Sequence, residues 1–126
     1  MKKYIVYRID PFRKTIIPVS LPGSKSNYRN SLLKILGAKS LNHRHVCDVD
    51  GTPLMECADP TTDDGVPGYR IRGVKGATAG KGVFFGQGPN EGFIGCPASA
   101  EWLKQMVKWL SAEEIESEDE DAEEHG

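Results

Sequence analysis

The acidic residues of this chain are concentrated at its C-terminal end. Nine of its 18 Asp and Glu side chains lie in residues 113–126, which contain no Lys or Arg. A segment this acidic, in which Ile115 and Ala122 are the only aliphatic side chains, cannot bury enough apolar surface to offset the entropy of ordering it. Residues 112–126 are therefore predicted to be a disordered acidic tail. The folded part is restricted to residues 1–111, which suffice for one domain with one hydrophobic core.

The body that precedes the tail is strongly basic. It contains all 16 Lys and Arg residues against nine acidic ones, a net charge of about +7, although the whole chain has a formal net charge of −2. Within the body, residues 1–47 contain ten basic side chains and one acidic, whereas residues 48–68 contain six acidic and none basic. Such a positive body needs an anionic counterpart, such as phosphate, nucleic acid or its own tail.

The sequence predicts a protein of the cytosol that does not bind membranes. No apolar run approaches the roughly 20 residues of a membrane span. The first residues, Met1-Lys2-Lys3, lead into a polar-interrupted strand and not into the apolar core of a signal peptide. The three cysteines are an odd number without the dense spacing of a secreted scaffold, so reduced thiols are expected.

Hydrophobic patterns and turn signals predict an α+β fold with a small, mainly antiparallel β-sheet and two α-helices. The pair Asp50-Gly51 is a strong hairpin signal, because both central positions of such a turn favour positive φ. Gly37 is placed to end the first helix in the left-handed conformation. Strands are predicted over residues 3–9, 15–19, 41–49, 52–58, 69–74 and 82–86, and helices over residues 26–36 and 99–110.

The second predicted helix has a wide apolar face and must be buried against another element. This face consists of Trp102, Leu103, Met106, Val107, Trp109 and Leu110. Trp102 and Trp109 are interpreted as core or dimer contacts, since they lie among aliphatic side chains. Together with exposed sheet edges, this face predicts a homo-oligomer.

Two segments of the body are suited to bind phosphate. Ser24, Lys25 and Ser26 lie at a predicted helix N-terminus, where free amides and the helix dipole favour an anion; a plain capped helix with a solvated lysine is the preferred interpretation. Residues 76–82 resemble a phosphate-binding P-loop in outline, but they are one residue short and lack the Ser or Thr that ligates magnesium, so NTPase activity is not expected. Their glycines still allow backbone amides to approach a phosphate near Lys81. A hairpin with a flexible glycine loop is the preferred interpretation of this segment.

His43, His45 and Cys47 alternate along the third predicted strand. Their side chains are therefore expected on one face, with Cys57 opposite on the paired strand. Their spacing lacks the signature of structural zinc sites. No metal ion is predicted at these residues. They are expected to be half-buried side chains whose hydrogen bonds are satisfied within the protein, and the sequence leaves open whether they bind metal.

Several short motifs occur in the order found in a family of small proteins of phages and mobile elements. The motifs are Ile9-Asp10-Pro11-Phe12 before Thr15-Ile16, Leu33 to Gly37 before Asp50-Gly51, and Ala79-Gly80-Lys81-Gly82-Val83 with Glu91-Gly92. The chain resembles this family, most of whose members have no known function. Some of its members look like anti-defence sponges, which sequester cyclic nucleotide or cyclic ADP-ribose immune signals without cleaving them. The resemblance implies a binding protein of the host cytoplasm.

The leading hypothesis is a phage-encoded, non-enzymatic protein that binds a phosphorylated cyclic nucleotide and needs no cofactor. Such a ligand requires cations for its phosphates and an aromatic ring for its base. The predicted ligand-binding residues are Lys25, Arg29, Arg44, Lys75, Lys81, Phe84 and Phe85. The alternative is an inhibitor that binds a host or defence protein and whose acidic tail mimics nucleic acid. Direct binding of nucleic acid ranks below both, because no recognition helix or RNA-binding aromatic motif is present.

Overall fold

A six-stranded antiparallel sheet forms the centre of the computed structural model, which describes residues 3–22, 25–60, 65–88 and 93–117. The strands follow the order β2-β1-β7-β4-β3, and β8 pairs with β7. A second sheet has the order β6-β5-β9. The elements are β1 (Lys3–Asp10), β2 (Thr15–Pro22), α1 (Lys25–Leu36), β3 (Asn42–Val49), β4 (Thr52–Ala58), β5 (Gly68–Ile71), β6 (Thr78–Ala79), β7 (Gly82–Gln87), β8 (Phe93–Ile94), α2 (Ala100–Met106) and β9 (Val107–Leu110). The predicted α+β class with a mainly antiparallel sheet is confirmed.

Both predicted turn signals adopt the expected backbone conformations. Asp50 and Gly51 have φ of 50° and 79° in the β3–β4 hairpin. Gly37 ends α1 with φ of 65°, and the amides of Gly37 and Ala38 donate to the carbonyls of Lys34 and Leu33. This pair of hydrogen bonds is the Schellman motif, which satisfies the last carbonyl groups of a helix.

The central sheet is covered on both faces, so there are two hydrophobic clusters in place of the single predicted core. Alternate residues of each strand point to opposite faces. On one face α1 packs against the sheet, and the cluster contains Val6, Leu21, Leu32, Cys57, Val83 and Phe85. On the other face lie the second sheet and α2, and the cluster contains Ile9, Val46, Leu54, Tyr69, Ile71, Phe84, Ala98, Leu103 and Val107. The middle strand β7 contributes to both.

The second predicted helix is wrong beyond Met106. Helix α2 (Ala100–Met106) is capped by Ser99, whose side chain accepts a hydrogen bond from the amide of Trp102. Val107 is already extended, and β9 pairs with β5 so that Trp109 lies opposite Tyr69. Val-Lys-Trp-Leu also alternates, and pairing with the edge of β5 provides hydrogen bonds that a longer helix would forgo.

A short C-terminal helix, residues 112–117, follows β9. Ser111 and Glu114 cap it reciprocally: the Glu114 amide donates to Ser111 Oγ at 3.2 Å, and the Ser111 amide donates to Glu114 Oε1 at 3.1 Å. Ile115 Cδ1 lies so close to Gly68 that a Cβ there would meet it at 2.6 Å. Regular structure therefore extends past Ser111, where the disordered tail was predicted to begin. Residues 118–126 lie outside the described residues.

No helix within the described residues is long and apolar enough to cross a membrane.

Candidate functional site

The two phenylalanines that were predicted to stack on a base are inaccessible to a ligand. Phe84 and Phe85 are both fully buried. They point to opposite faces of β7, where Phe84 packs edge-on against Tyr69 and Phe85 packs edge-on against His43. The prediction is wrong because β7 is a central strand that is covered on both faces. Sequence patterning alone does not distinguish such a strand from a half-exposed one.

The predicted cationic residues whose side chains the structure describes do not converge on one site. Arg29 is exposed on α1, on the face of the central sheet to which His43 points; burial, and then the charge of Arg29, lower the pKa of His43. Arg44 points to the other face, since it pairs with Glu56. Lys25 begins α1, and its side chain lies outside the described residues. The sheet therefore separates Arg29 from Arg44.

Arg44 does reach the glycine-rich segment that contains the exposed Lys75 and the half-buried Lys81. Its Nη1 donates to the carbonyls of Lys75 and Gly76 at 3.4 Å. That segment is not an open phosphate-binding loop, because β6 lies within it and pairs with β5. The structure thus brings Arg44 to the glycine-rich segment that carries Lys75 and Lys81.

The guanidinium of Arg44 is held by a buried carboxylate. Glu56 is 3% exposed, and its Oε1 accepts from Arg44 Nε at 2.8 Å. Tyr69 donates to Oε2 at 2.8 Å, and Thr78 Oγ1 lies 2.9 Å from Oε1. Burial, together with the charge of Glu56, raises the pKa of Tyr69 well above its usual value. Both carboxylate oxygens therefore have partners inside the protein.

The pocket beside this network is a poor site for an anion. It has a volume of about 280 Å³, and Glu56 and Asp59 are among its lining residues. The network itself leaves little room for change: a Cβ on Gly82 would overlap the Tyr69 hydroxyl. We interpret Glu56 and its donors as a structural link between the two sheets.

The predicted common face of His43, His45 and Cys47 is interrupted by a β-bulge. His43 pairs with Cys57, as predicted, and His45 pairs with Met55. The register shifts between His45 and Cys47, and Cys47 packs against the cluster on the opposite face of the sheet. In the part of the chain that the structure describes, no three His, Cys, Asp or Glu side chains are grouped closely enough to hold a metal ion.

A different groove, which the sequence did not indicate, combines cations with an aromatic ring. It lies where the β1–β2 hairpin meets α2 and β9, and its volume is about 480 Å³. Its lining residues are Lys14, Thr15, Ile16, Ile17, Lys104 and Trp109; we call it the basic groove. None of these described lining residues is acidic, in contrast to the pocket beside Arg44.

The hairpin end of the basic groove has two unusual features. Lys14 has a φ of 54°, a left-handed conformation that costs a residue with a side chain about 1 kcal/mol and that glycine adopts freely. The neighbouring Thr15 Oγ1 is buried and has no hydrogen-bond partner among the described residues. Strained backbone conformations cluster at functional sites, and a buried hydroxyl without a partner calls for a physical explanation.

The other wall of the groove comes from the segment where helix gives way to strand. Lys104 is exposed at the end of α2, and Trp109 is half-buried on β9. Neither Lys14 nor Lys104 forms an ion pair with a described residue. In the sequence, Trp109 fits the apolar face of a helix, and this pattern conceals the wall; the alternation of residues 107–110 is the signal that indicates a strand there.

Comparison with known proteins gives no relative from which a role can be transferred: no family model, curated protein or solved structure matches the chain.

Proposed function

We propose that the protein binds a phosphorylated nucleotide in the basic groove and does not convert it. The observation that carries this proposal is the position of Lys14 and Lys104 beside Trp109 in one groove without acidic lining. Lysine ammonium groups neutralise phosphate oxygens, and an indole ring stacks on a base. In this proposal, Trp109 takes the base-stacking role that the sequence predicted for Phe84 and Phe85.

The size and chemistry of the groove suit a small nucleotide. Its volume of about 480 Å³ falls in the range of about 300–1,000 Å³ that is typical of small-molecule sites. Thr15 also lines the groove, but its hydroxyl oxygen is buried, so it is assigned no contact with the ligand. The described lining includes no carboxylate, imidazole or thiol to move a proton, so the proposal assigns binding and no catalytic step.

The biological role that fits such a site is sequestration. The resemblance of the hairpin and glycine-segment motifs to phage proteins suggests a phage-encoded protein that removes a cyclic nucleotide immune signal in the host cytoplasm. A binding protein in this role needs tight, non-destructive binding and no cofactor.

Calorimetry against cyclic oligonucleotides and cyclic ADP-ribose isomers tests the proposal directly. We expect one member of the panel to bind the wild-type protein, and Lys14→Gly to weaken that binding roughly tenfold or more, because a phosphate loses its counter-charge. Glycine relieves the left-handed backbone, so this variant keeps its fold. Lys104→Ala is expected to act in the same direction. Lys34→Ala, an exposed residue of α1, is the matched control and should leave affinity unchanged.

Two results would contradict the proposal. If no member of the panel gives a heat of binding, the protein does not bind a nucleotide of this class. If wild type and Lys14→Gly bind the nucleotide with equal affinity, the basic groove is not the binding site.

A second candidate function is inhibition of a nucleic-acid-binding enzyme by mimicry. The capped C-terminal helix favours it, because that helix presents the carboxylates of Glu113, Glu114 and Glu116 in an ordered, exposed array. Glu113→Gln with Glu116→Gln separates the two functions. A mimic loses inhibition of its target enzyme, whereas a nucleotide-binding protein retains its nucleotide.

A further inference from the structure

The basic groove lies close to the place where the acidic tail leaves the folded body. Trp109 lines the groove, and Ser111, two residues later, caps the C-terminal helix. Ile115 holds this helix against Gly68. The helix therefore has a fixed position relative to the groove, and residue 118 follows directly after it.

Glu114 of this helix lies within the electrostatic range of Lys14 in the groove. Hydrogen bonds from the backbone and side chain of Ser111 are the main reason that the pKa of Glu114 is lowered. The charges of Lys108 and Lys14 lower it further. Lys14 of the groove and Lys108 of β9 thus both lie near the start of the tail.

Residues 118–126, which follow the described residues, carry negative charge, whereas the described lining of the groove carries only positive charge. Residues 118–126 contain six carboxylates, no Lys or Arg, and no large apolar side chain. Nine residues span up to about 30 Å when extended, which is ample reach from the end of an anchored helix to an adjacent groove. Because the segment is tethered, its effective concentration at the groove is in the millimolar range for a short linker.

We propose that residues 118–126 dock in the basic groove, with their carboxylates at Lys14 and Lys104. The tail is then an internal occupant that a nucleotide must displace. This competition rests on the proposed function, whereas docking itself does not. Exposed ion pairs are individually weak and are screened by salt, so a multiply charged phosphate ligand displaces the segment.

The test measures how fast individual lysines react with acetic anhydride in the full-length chain, with each site quantified by mass spectrometry. The comparison is with a full-length variant whose tail carboxylates are amides: Glu118→Gln, Asp119→Asn, Glu120→Gln, Asp121→Asn, Glu123→Gln and Glu124→Gln. We expect Lys14 and Lys104 to react at least threefold faster in the variant at low salt. The exposed Lys34 and Lys39, on and after α1, are internal controls and should not change.

Salt and concentration series complete the test. Docking predicts that 0.5 M NaCl accelerates Lys14 and Lys104 in the wild-type chain and has no effect on the variant. Equal rates in the two proteins at low salt overturn the proposal. Protection that grows with protein concentration also overturns it, because the occupant is then the tail of another molecule.

The same pair of proteins separates this inference from the proposed function. Protection of Lys14 and Lys104 without nucleotide binding by either protein means that docking holds and the nucleotide proposal fails. If both proteins bind the nucleotide with equal affinity and their lysines react equally fast, the nucleotide proposal holds and docking fails.

Discussion

Among single residues, Glu56 links the two sheets most directly. It lies on β4 of the central sheet and accepts hydrogen bonds from Tyr69 on β5 and Thr78 on β6 of the second sheet. Arg44 balances its charge from β3. A buried carboxylate is tolerated only where its oxygens are satisfied, so these donors fix the relative position of the sheets. Its role is invisible in the sequence, where Glu56 is one acidic residue in an acidic stretch.

Tyr69→Phe tests this link with little disturbance of packing. The ring still packs edge-on against Phe84, but one oxygen of Glu56 loses a buried donor. We expect the free energy of unfolding, measured by urea denaturation, to fall by about 1.5–3 kcal/mol, the usual contribution of a hydrogen bond to a charged group. Tyr7→Phe, in a half-buried tyrosine of β1, is the control. Equal effects of the two substitutions would refute the special role of Glu56.

At the scale of secondary-structure elements, the C-terminal helix should depend on pH. Its cap uses the ionised carboxylate of Glu114, whose pKa the Ser111 hydrogen bonds lower from the usual 4.5. A carboxylate with a lowered folded-state pKa stabilises the fold above its unfolded pKa, and that contribution is lost as pH falls through the folded value. We expect the contact of Ile115 with Gly68 to weaken as the pH drops below about 4.5.

The Ile115 methyl resonances report this transition by NMR. In Glu114→Gln the cap carries no titrating group, so the chemical shifts of Ile115 should no longer follow pH in this range. Persistence of the wild-type pH dependence in that variant would assign the transition to another group.

Elements that are determined by local signals were predictable from the sequence, and those determined by a distant partner were not. The β3–β4 hairpin follows from Asp50 and Gly51, and β4 has the predicted bounds. The strand β9 was predicted as helix, because its apolar residues fit both periods and only the edge of β5 selects the strand. The bulge after His45 likewise depends on how β3 meets β4, and it removes the predicted common face with Cys47.

The location of the candidate site was not predictable from the sequence. The nucleotide-binding hypothesis requires cations and an aromatic ring, and the basic groove combines Lys14, Lys104 and Trp109. These residues are distant in sequence, and only the packing of the β1–β2 hairpin against α2 and β9 brings them together. Phe84 and Phe85 lie close to Lys81 in sequence, but proximity in sequence is no guide to accessibility on a central strand.

At the scale of the whole molecule, the edges of the central sheet are protected against pairing with another chain. Pro18 lies in the edge strand β2 and has no amide donor, and the edge strand β3 carries the bulge. Both features discourage edge-to-edge association. The predicted homo-oligomer stays a prediction.

The two hydrophobic clusters share β7, so we expect the molecule to unfold as one cooperative unit. Phe84→Ala and Phe85→Ala each empty a fully buried site, in different clusters, and each should lower the free energy of unfolding by about 3–5 kcal/mol. Tryptophan fluorescence and far-UV circular dichroism should give coincident urea transitions for both variants, because loss of β7 exposes both faces of the sheet. Phe12→Ala, in a side chain that is 55% exposed, should change stability by no more than about 0.5 kcal/mol. Two separate transitions would mean that the clusters are independent, and near-native stability of either buried variant would return that ring to the list of candidate ligand contacts.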